Sequence, residues 1–164
     1  MIIAGLDLGK RVDHSALLML DDWTVTHSLL VTAPTWRGQI QALAPALAKV
    51  DLLAFDGTGV GDAVAELIPP GIQRMQVVWT AGRGARREGD SERWLAGKPF
   101  MIEATQQAIR TGKLKVPPST IGRDELKDEM LRFAGRGEAT TGHDDRVASL
   151  LLAVFGRIAH GVSV

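Results

Sequence analysis

The sequence predicts an α/β protein whose mixed five-stranded sheet has three antiparallel strands followed by parallel ones, with helices on both faces. Three observations support this fold class. Three apolar β-type runs follow one another in residues 1–32, separated by short segments. Later apolar runs alternate with helical patterns, as in parallel crossover units. The run DLLAFD (51–56) has a continuous apolar centre, which is typical of a strand covered on both faces.

The first three strands are expected at 1–8 (MIIAGLDL), 14–20 (HSALLML) and 23–32 (WTVTHSLLVT). Only Asp21 and Asp22 separate the second strand from the third, which is the length of a tight hairpin turn. These segments therefore predict an antiparallel meander.

A helix is predicted over 35–50, followed by the strand 51–56 and a second helix over 62–68. Pro45 is expected to kink the first helix. GTGVG (57–61) is interpreted as a tight strand-to-helix turn that allows close approach of the backbone, because it lacks the lysine of a phosphate-binding loop. The apolar residues at helical spacing in the first helix are Ile40, Leu43, Leu47 and Val50.

A fifth strand is expected at 75–80, and the glycine- and arginine-rich segment 81–94 is expected to be an exposed, mobile loop. The next helix, 98–112, has Pro99 in its first turn and Gly112 at its end, as is common in helices.

LKVPP (114–118) is a brief extended piece, 125–135 is an amphipathic helix, and 136–142 is a polar turn or small hairpin before a final apolar helix. Three antiparallel strands, a crossover helix and further parallel strands follow one another in the order of the ribonuclease H fold. With 164 residues, the chain is expected to be a single domain over 1–164.

The bulk composition limits the possible partners and location. With 19 basic and 19 acidic residues the formal net charge is zero, so nucleic-acid binding would depend on local patches. The absence of cysteine excludes disulfides and thiolate metal sites. MIIAGL has no basic segment before it, and the longest apolar run near the C-terminus is about half a membrane span. We therefore expect a cytoplasmic protein without membrane contact.

Acidic residues are expected to meet at one edge of the sheet. Asp7 ends the first strand and Asp56 ends the fourth, and a right-handed crossover makes these strands parallel. Asp144 and Asp145 open the final helix, which can bring its first turn to the same edge. Crowded carboxylates with no cysteine favour Mg²⁺ or Mn²⁺, and two ions about 3.5–4 Å apart can hydrolyse a phosphodiester.

Each acid also has a simpler interpretation. A strand-ending aspartate is commonly a turn former, and acids at a helix start are commonly caps. Their joint position at one edge favours the catalytic interpretation. A helical wheel places Asp144 above the apolar stripe that contains Val147 and Leu151, and so slightly prefers Asp144 over Asp145.

Together, GLDLG (5–9), AFDGTGVG (54–61) and GHDDRVASLLLA (142–153) resemble the nuclease domain of the large terminase subunit of tailed phages, which cuts concatemeric DNA during packaging. The segment 97–119 is similar to the family's helix and "grLkip" strand, and 126–133 to its "L..El..F" segment. The resemblance spans nearly the whole chain.

The resemblance implies that Asp7, Asp56 and Asp145 hold two Mg²⁺ or Mn²⁺ ions, with Asp144 assisting. His143 is interpreted as a hydrogen-bonding residue of the helix start. The implied partners are double-stranded DNA, an ATPase motor domain or subunit, the small terminase and the portal. This chain has no P-loop of its own, so it is expected to be an excised nuclease domain or a separately encoded nuclease.

A net positive segment at 83–98 is expected to contact DNA phosphates, and Trp94 within it is a candidate for base stacking. A solvated polar loop is the alternative. The predicted DNA-binding residues are Arg83, Arg86, Arg87, Arg93, Lys98 and Lys113.

Three other function classes stay open at this point. A Holliday-junction resolvase has a similar fold and size, but usually carries a glutamate where Asp56 stands. A sugar-kinase or actin-like ATPase shares GLDLG but needs about twice this length. A noncatalytic DNA- or partner-binding module would not need the full set of acids.

Overall fold

The computed structural model describes residues 1–9, 14–59, 61–136 and 144–162. In this part of the chain one sheet of seven strands forms the centre, in the spatial order third, second, first, fourth, fifth, seventh, sixth. The strands are β1 (Ile2–Asp7), β2 (Ser15–Asp21), β3 (Thr24–Val31), β4 (Leu52–Asp56), β5 (Gln73–Thr80), β6 (Ala85–Arg87) and β7 (Arg93–Gly97).

Helices cover both faces of the sheet. Two lie against the face formed by Leu6 and Phe55, and the other three pack on or beside the face formed by Ile3 and Ala54. Alternation of side chains along each strand separates these two faces. The helices are α1 (Trp36–Leu47) and α2 (Gly61–Ala65) on the first face, and α3 (Lys98–Arg110), α4 (Arg123–Arg136) and α5 (Asp145–Val162) on the second.

The predicted fold class is confirmed. Strands β1, β2 and β3 form the antiparallel meander, and β4 and β5 run parallel to β1. Helix α1 continues through Pro45, whereas α2 ends at Ala65, three residues earlier than predicted. None of the helices in the described ranges is both long and apolar enough to cross a membrane.

The segment 81–94 was predicted to be a mobile loop, and this prediction is wrong. Residues in it form β6 and the start of β7, which pair with each other antiparallel, and β7 also pairs parallel with β5. The sheet therefore has two more strands than predicted. No apolar alternation marked β6 because all three of its residues are exposed at the sheet edge.

The segment after α3 lies along the outer side of β3. Backbone hydrogen bonds join Val25 to Lys115 and Ser28 to Ile121, at 2.8 and 2.7 Å. This segment includes the predicted extended piece 114–118. Most of the turn or hairpin predicted at 136–142 lies outside the described residues.

Candidate active site

Asp7 and Asp56 end neighbouring parallel strands at the same level of the sheet. The preceding residues, Leu6 and Phe55, are paired directly across β1 and β4. Because side chains alternate along a strand, Asp7 lies on the face of Gly5, which α5 contacts. The same alternation places Asp56 on the face of Ala54, which also packs against α5. Two carboxylates therefore share one edge and one face.

Gly5 allows α5 to lie directly on β1. A Cβ atom at Gly5 would be 1.9 Å from the carbonyl oxygen of Ser149 and 2.5 Å from the backbone nitrogen of Ala153. Ser149 and Ala153 follow Asp145 by about one and two helical turns. The stripe of α5 that touches β1 thus begins at Asp145, beside the end of β1 that carries Asp7.

The structure favours Asp145 over Asp144 as the acid nearer to Asp7, whereas the helical wheel favoured Asp144. The wheel favoured Asp144 because it treated the stripe of Val147 and Leu151 as the sheet-facing side. In the structure α5 is buried on more than that stripe, since Ser149 and Ala153 are also fully buried. The charge of Asp145 affects Asp7 more strongly than the charge of Asp144 does. The contact of α5 with β1 and the charge effect on Asp7 both favour Asp145 over Asp144, and its role as a metal ligand stays a prediction.

Asp7 is the electrostatic centre of this group. The pKa of its carboxyl is raised to about 7, mainly by burial. The negative charges of Asp145, Asp56 and Asp144 also raise this pKa, in that order of effect, while the Lys98 ammonium lowers it. Three carboxylates from two other segments are therefore close enough to act on Asp7, and near neutral pH the Asp7 carboxyl holds a proton part of the time.

The turn after Asp56 is fixed by a short chain of hydrogen bonds. The Thr58 N–H donates to Asp56 Oδ1 at 2.8 Å, and the Trp79 N–H donates to Thr58 Oγ1 at 3.1 Å. A Cβ atom at Gly57 or Gly61 would collide with the Gln76 side chain, at 2.3 and 1.9 Å. Glycine at 57 and 61 thus lets the described parts of this segment approach β5 closely, as the interpretation of a close backbone approach requires.

A buried polar pair supports the turn after Asp7. Ser15 Oγ donates to Gln39 Oε1 at 2.6 Å and accepts the Gly9 N–H at 3.0 Å. The Trp36 indole N–H donates to the Gly9 carbonyl oxygen at 3.1 Å. Sequence reasoning missed Ser15 and Gln39. The available signal was a serine at the start of an otherwise apolar strand, as at Ser15.

Sequence reasoning also gave no role to Glu129 of α4. Its side chain is buried, and one carboxylate oxygen accepts the Val147 N–H at 2.8 Å. The pKa of Glu129 is raised, mainly by burial and also by the negative charge of Asp145, although hydrogen bonds from the Val147 and Arg146 N–H groups and the charge of Arg146 act to lower it. Its position in the "L..El..F" segment was a signal, although that pattern alone assigns no contact.

The donor set fits a hard divalent cation, because all four converging groups are carboxylates. Within the described ranges, no three acidic or histidine side chains are placed close enough to ligate one ion as they stand. Shared binding of a cation by these carboxylates would offset the repulsion that acts on Asp7. His143 lies outside the described residues.

Two of the predicted DNA-binding residues lie at the acidic edge. Lys98 is the first residue of α3 and acts electrostatically on Asp7. Arg83 is exposed in the loop between β5 and β6, which packs against the end of β7. A Cβ atom at Gly97 would be 1.6 Å from the Gly82 carbonyl oxygen and 3.3 Å from the Arg83 nitrogen. This contact holds Arg83 beside the start of α3.

The other predicted DNA-binding residues lie elsewhere. Arg86 is exposed on the edge strand β6. Arg87 donates to the Ser91 and Asp90 carbonyl oxygens, and Arg93 forms a 3.1 Å ion pair with Glu88, so both stabilise the hairpin turn. That turn connects the β6 and β7 ends that lie away from the acidic edge.

Lys113 and Trp94 are used in packing. The Lys113 ammonium lies 4.5 Å from the centre of the Trp23 ring, next to the β2–β3 turn and thus at the opposite end of the sheet from Asp7. The Trp94 ring packs edge-on against Phe155 at 5.6 Å, within the core. Neither position favours the predicted contact with DNA at the acidic edge.

The sheet order, the helices on both faces and the acids at the ends of β1 and β4 define a protein of the ribonuclease H-like fold. Among solved structures, the chain is similar to the large terminase nuclease of thermophilic phage G20c with bound magnesium, at 24% identity and a TM-score of 0.66, covering 94% of this chain and 80% of that one. It is also similar to the human cytomegalovirus terminase nuclease domain in a manganese-soaked form, at 11% identity and a TM-score of 0.61, over 94% and 81% of the two chains.

A third similar structure is the nuclease domain of the large terminase subunit of bacterial virus Sf6, at 10% identity and a TM-score of 0.58, over 93% and 87% of the two chains. The sequence matches no family model and no curated protein. At these identities the likeness establishes the shared fold, and the function has to be argued from the site.

Proposed function

We propose that this chain is a divalent-metal-dependent endonuclease that hydrolyses phosphodiester bonds of DNA. The observation that carries the proposal is the convergence of Asp7, Asp56 and the pair Asp144 and Asp145 at one edge of the sheet, with the pKa of Asp7 raised to about 7. Structural ion pairs lower the pKa of an aspartate, whereas this arrangement concentrates like charges. Such a cluster of like charges is a frequent property of catalytic and metal sites.

The carboxylates of Asp7, Asp56 and Asp145 would hold two Mg²⁺ or Mn²⁺ ions, assisted by Asp144. Ions bound there would neutralise charge on the scissile phosphate and make a bound water a stronger nucleophile. In the proposed reaction, the water would lose a proton as its oxygen forms a bond to phosphorus, one phosphorus–oxygen ester bond would break, and the departing oxygen would gain a proton. Asp7 would release its proton when cations bind, because only the ionised carboxylate is a metal ligand.

Basic side chains beside the acids support the proposed contact with DNA. Lys98 and the loop of Arg83 lie at the same edge, so a DNA phosphate approaching the carboxylates meets positive charge. The zero net charge of the chain agrees with a local contact of this kind. We propose Arg83 and Lys98 as the principal DNA contacts, with Arg86 as a peripheral one.

The terminase nuclease domains that share this fold support a biological setting. We propose that the chain cuts concatemeric viral DNA during genome packaging in the host-cell cytoplasm. In that setting it would work with an ATPase motor domain or subunit, the small terminase and the portal. The Mg²⁺, Mn²⁺ and Co²⁺ in the neighbour structures agree with a divalent cofactor.

The test compares the parent chain with Asp56→Asn on supercoiled plasmid in Mn²⁺ or Mg²⁺. Asparagine keeps the oxygen that accepts the Thr58 N–H, so we expect the variant to fold. Loss of a metal ligand removes several kcal/mol of charge stabilisation, so we expect nicking to fall about 10³-fold or more.

Asp90→Asn is the matched control, because Asp90 is exposed in the hairpin turn away from the acidic edge. It should cut at the parent rate. Parent-like cutting by Asp56→Asn, or parent activity that persists in excess chelator, would contradict the proposal. Strong preference for a four-way junction over linear duplex would favour the resolvase alternative.

A further inference from the structure

The first turn of α5 is capped from another helix. The Asp144 carbonyl oxygen accepts the Ala148 N–H at 2.8 Å, so α5 bonding begins at Asp144 and places Val147 third after the cap residue. When the cap residue is an aspartate, its own side chain commonly accepts the N–H of the second or third position. Here the acceptor is Glu129 of α4, at 2.8 Å, and this hydrogen bond is buried. The Asp144 carboxylate is therefore not required as the cap of its own helix.

A second contact fixes the same turn to β3. The Arg146 guanidinium donates to the carbonyl oxygen and the hydroxyl of Ser28 on β3, at 2.5 and 2.9 Å. Glu129 and Arg146 thus tie the start of α5 to both α4 and β3. The residues held in place by these contacts are the neighbouring pair Asp144 and Asp145.

We infer that Glu129 is a positioning residue, which accepts the Val147 N–H so that Asp144 and Asp145 are held toward Asp7 for cation binding. This role rests on the proposed function of the acidic edge. Glu129 is distinct from the acids it positions. The carboxylates that raise the pKa of Asp7 are Asp145, Asp56 and Asp144, whereas the Glu129 carboxylate accepts a backbone N–H of α5 and is itself affected by the charge of Asp145.

The test separates the hydrogen-bond acceptor from the charge and from the bulk of the side chain. Glu129→Gln keeps an oxygen acceptor and loses the charge, whereas Glu129→Met keeps the length and loses the acceptor. Asp128→Asn is the matched control, since Asp128 is the exposed neighbour on the same helix. The probe is Mn²⁺ alone, with free Mn²⁺ measured by electron paramagnetic resonance at a temperature where circular dichroism shows every variant folded.

We expect Mn²⁺ affinity to fall about 10- to 100-fold in Glu129→Met, the usual effect of losing a group that orients metal ligands. Glu129→Gln and Asp128→Asn should bind nearly as tightly as the parent. Hydrogen exchange at the Val147 amide should be faster in Glu129→Met and unchanged in Glu129→Gln.

Two results would overturn the positioning role while leaving the proposed function intact. One is parent-like Mn²⁺ affinity in folded Glu129→Met, which would make Glu129 a purely structural cap. The other is equal loss in Glu129→Gln and Glu129→Met, which would assign the effect to charge. If the parent chain itself binds no Mn²⁺, the proposed function fails, and the role of Glu129 fails with it.

Discussion

The two ends of the sheet use charged side chains in opposite ways. At the β2–β3 turn, Asp22 pairs with Arg157 at 2.7 Å, and Lys113 and Arg157 both lie over the Trp23 ring. Each charge there has a partner of opposite sign or an aromatic face. At the other end, like charges gather around Asp7, and its pKa rises to about 7.

This difference separates a stabilising arrangement from a functional one. Opposite charges at the β2–β3 turn favour the folded state, whereas crowded carboxylates oppose it unless protons or cations are bound. Local destabilisation of this kind is retained where a site needs it. Removing one negative charge should therefore have opposite effects on stability at the two ends.

The largest effect on stability is expected for Asp7→Asn in the absence of divalent cations. The folded-state pKa of Asp7 is about 7 and its ordinary value is 3.8. Between these values the folded chain holds a proton that the unfolded chain has released, so stability falls as the pH rises through this window. The full penalty applies above pH 7 and amounts to as much as about 4 kcal/mol.

Urea unfolding in chelator between pH 4 and 8.5 measures this effect. Asp7→Asn should be more stable than the parent. The gain should be small at pH 4 and should grow toward pH 8. Added Mn²⁺ should stabilise the parent more than the variant. Parallel stability curves for the two proteins across this pH range would contradict the assigned charge crowding.

A smaller effect, and a loss of stability, is expected for Gly5→Ala, which tests how the acidic edge is assembled. The added Cβ would be 1.9 Å from the Ser149 carbonyl oxygen, a backbone atom, so β1 and α5 must separate. Overpacking of this kind costs roughly 1–3 kcal/mol. We expect weaker Mn²⁺ binding as well, because Asp145 moves away from Asp7.

Gly84→Ala is the control for this substitution, since a Cβ atom there would meet nothing within 4 Å. Its free energy of unfolding should stay within about 0.5 kcal/mol of the parent value. Equal effects of the two substitutions, measured by urea unfolding, would show that the contact at Gly5 does not set the position of α5.

The sequence contained enough to predict the strands that carry the acids. Asp7 and Asp56 follow apolar runs, and the crossover rule makes those runs parallel, so their common edge follows from chain order. Strand β6 was missed because its residues are exposed at the sheet edge and lack an apolar pattern, whereas β7 lies between β5 and β6 and is mostly half-buried or buried. Strand β7 pairs with β5, and a segment rich in glycine and arginine gives no sign of this pairing.

The details of the site depend on contacts between distant segments. The helical wheel used one helix alone and preferred Asp144, whereas the contact of α5 with Gly5 places the stripe of Asp145 against β1. The Glu129 hydrogen bond joins residues 18 positions apart and has no local signature. Lys113 looked like part of a basic track in the sequence, but the fold carries it to the Trp23 end.

The smallest effect is expected for Asp22→Asn, at the end of the sheet where charges are paired. Asp22 has a positive φ of 52°, and asparagine also tolerates this conformation, so the backbone should be unchanged. The variant loses the ion pair with Arg157, but the Asp22 side chain is 71% exposed, which limits the cost to about 0.2–1 kcal/mol.

The difference in stability between Asp22→Asn and the parent should shrink toward zero at about 1 M salt, where screening acts within a few ångströms. Urea unfolding at low and high salt measures it. A stabilised Asp22→Asn would remove the contrast in sign with Asp7→Asn on which the comparison of the two ends depends.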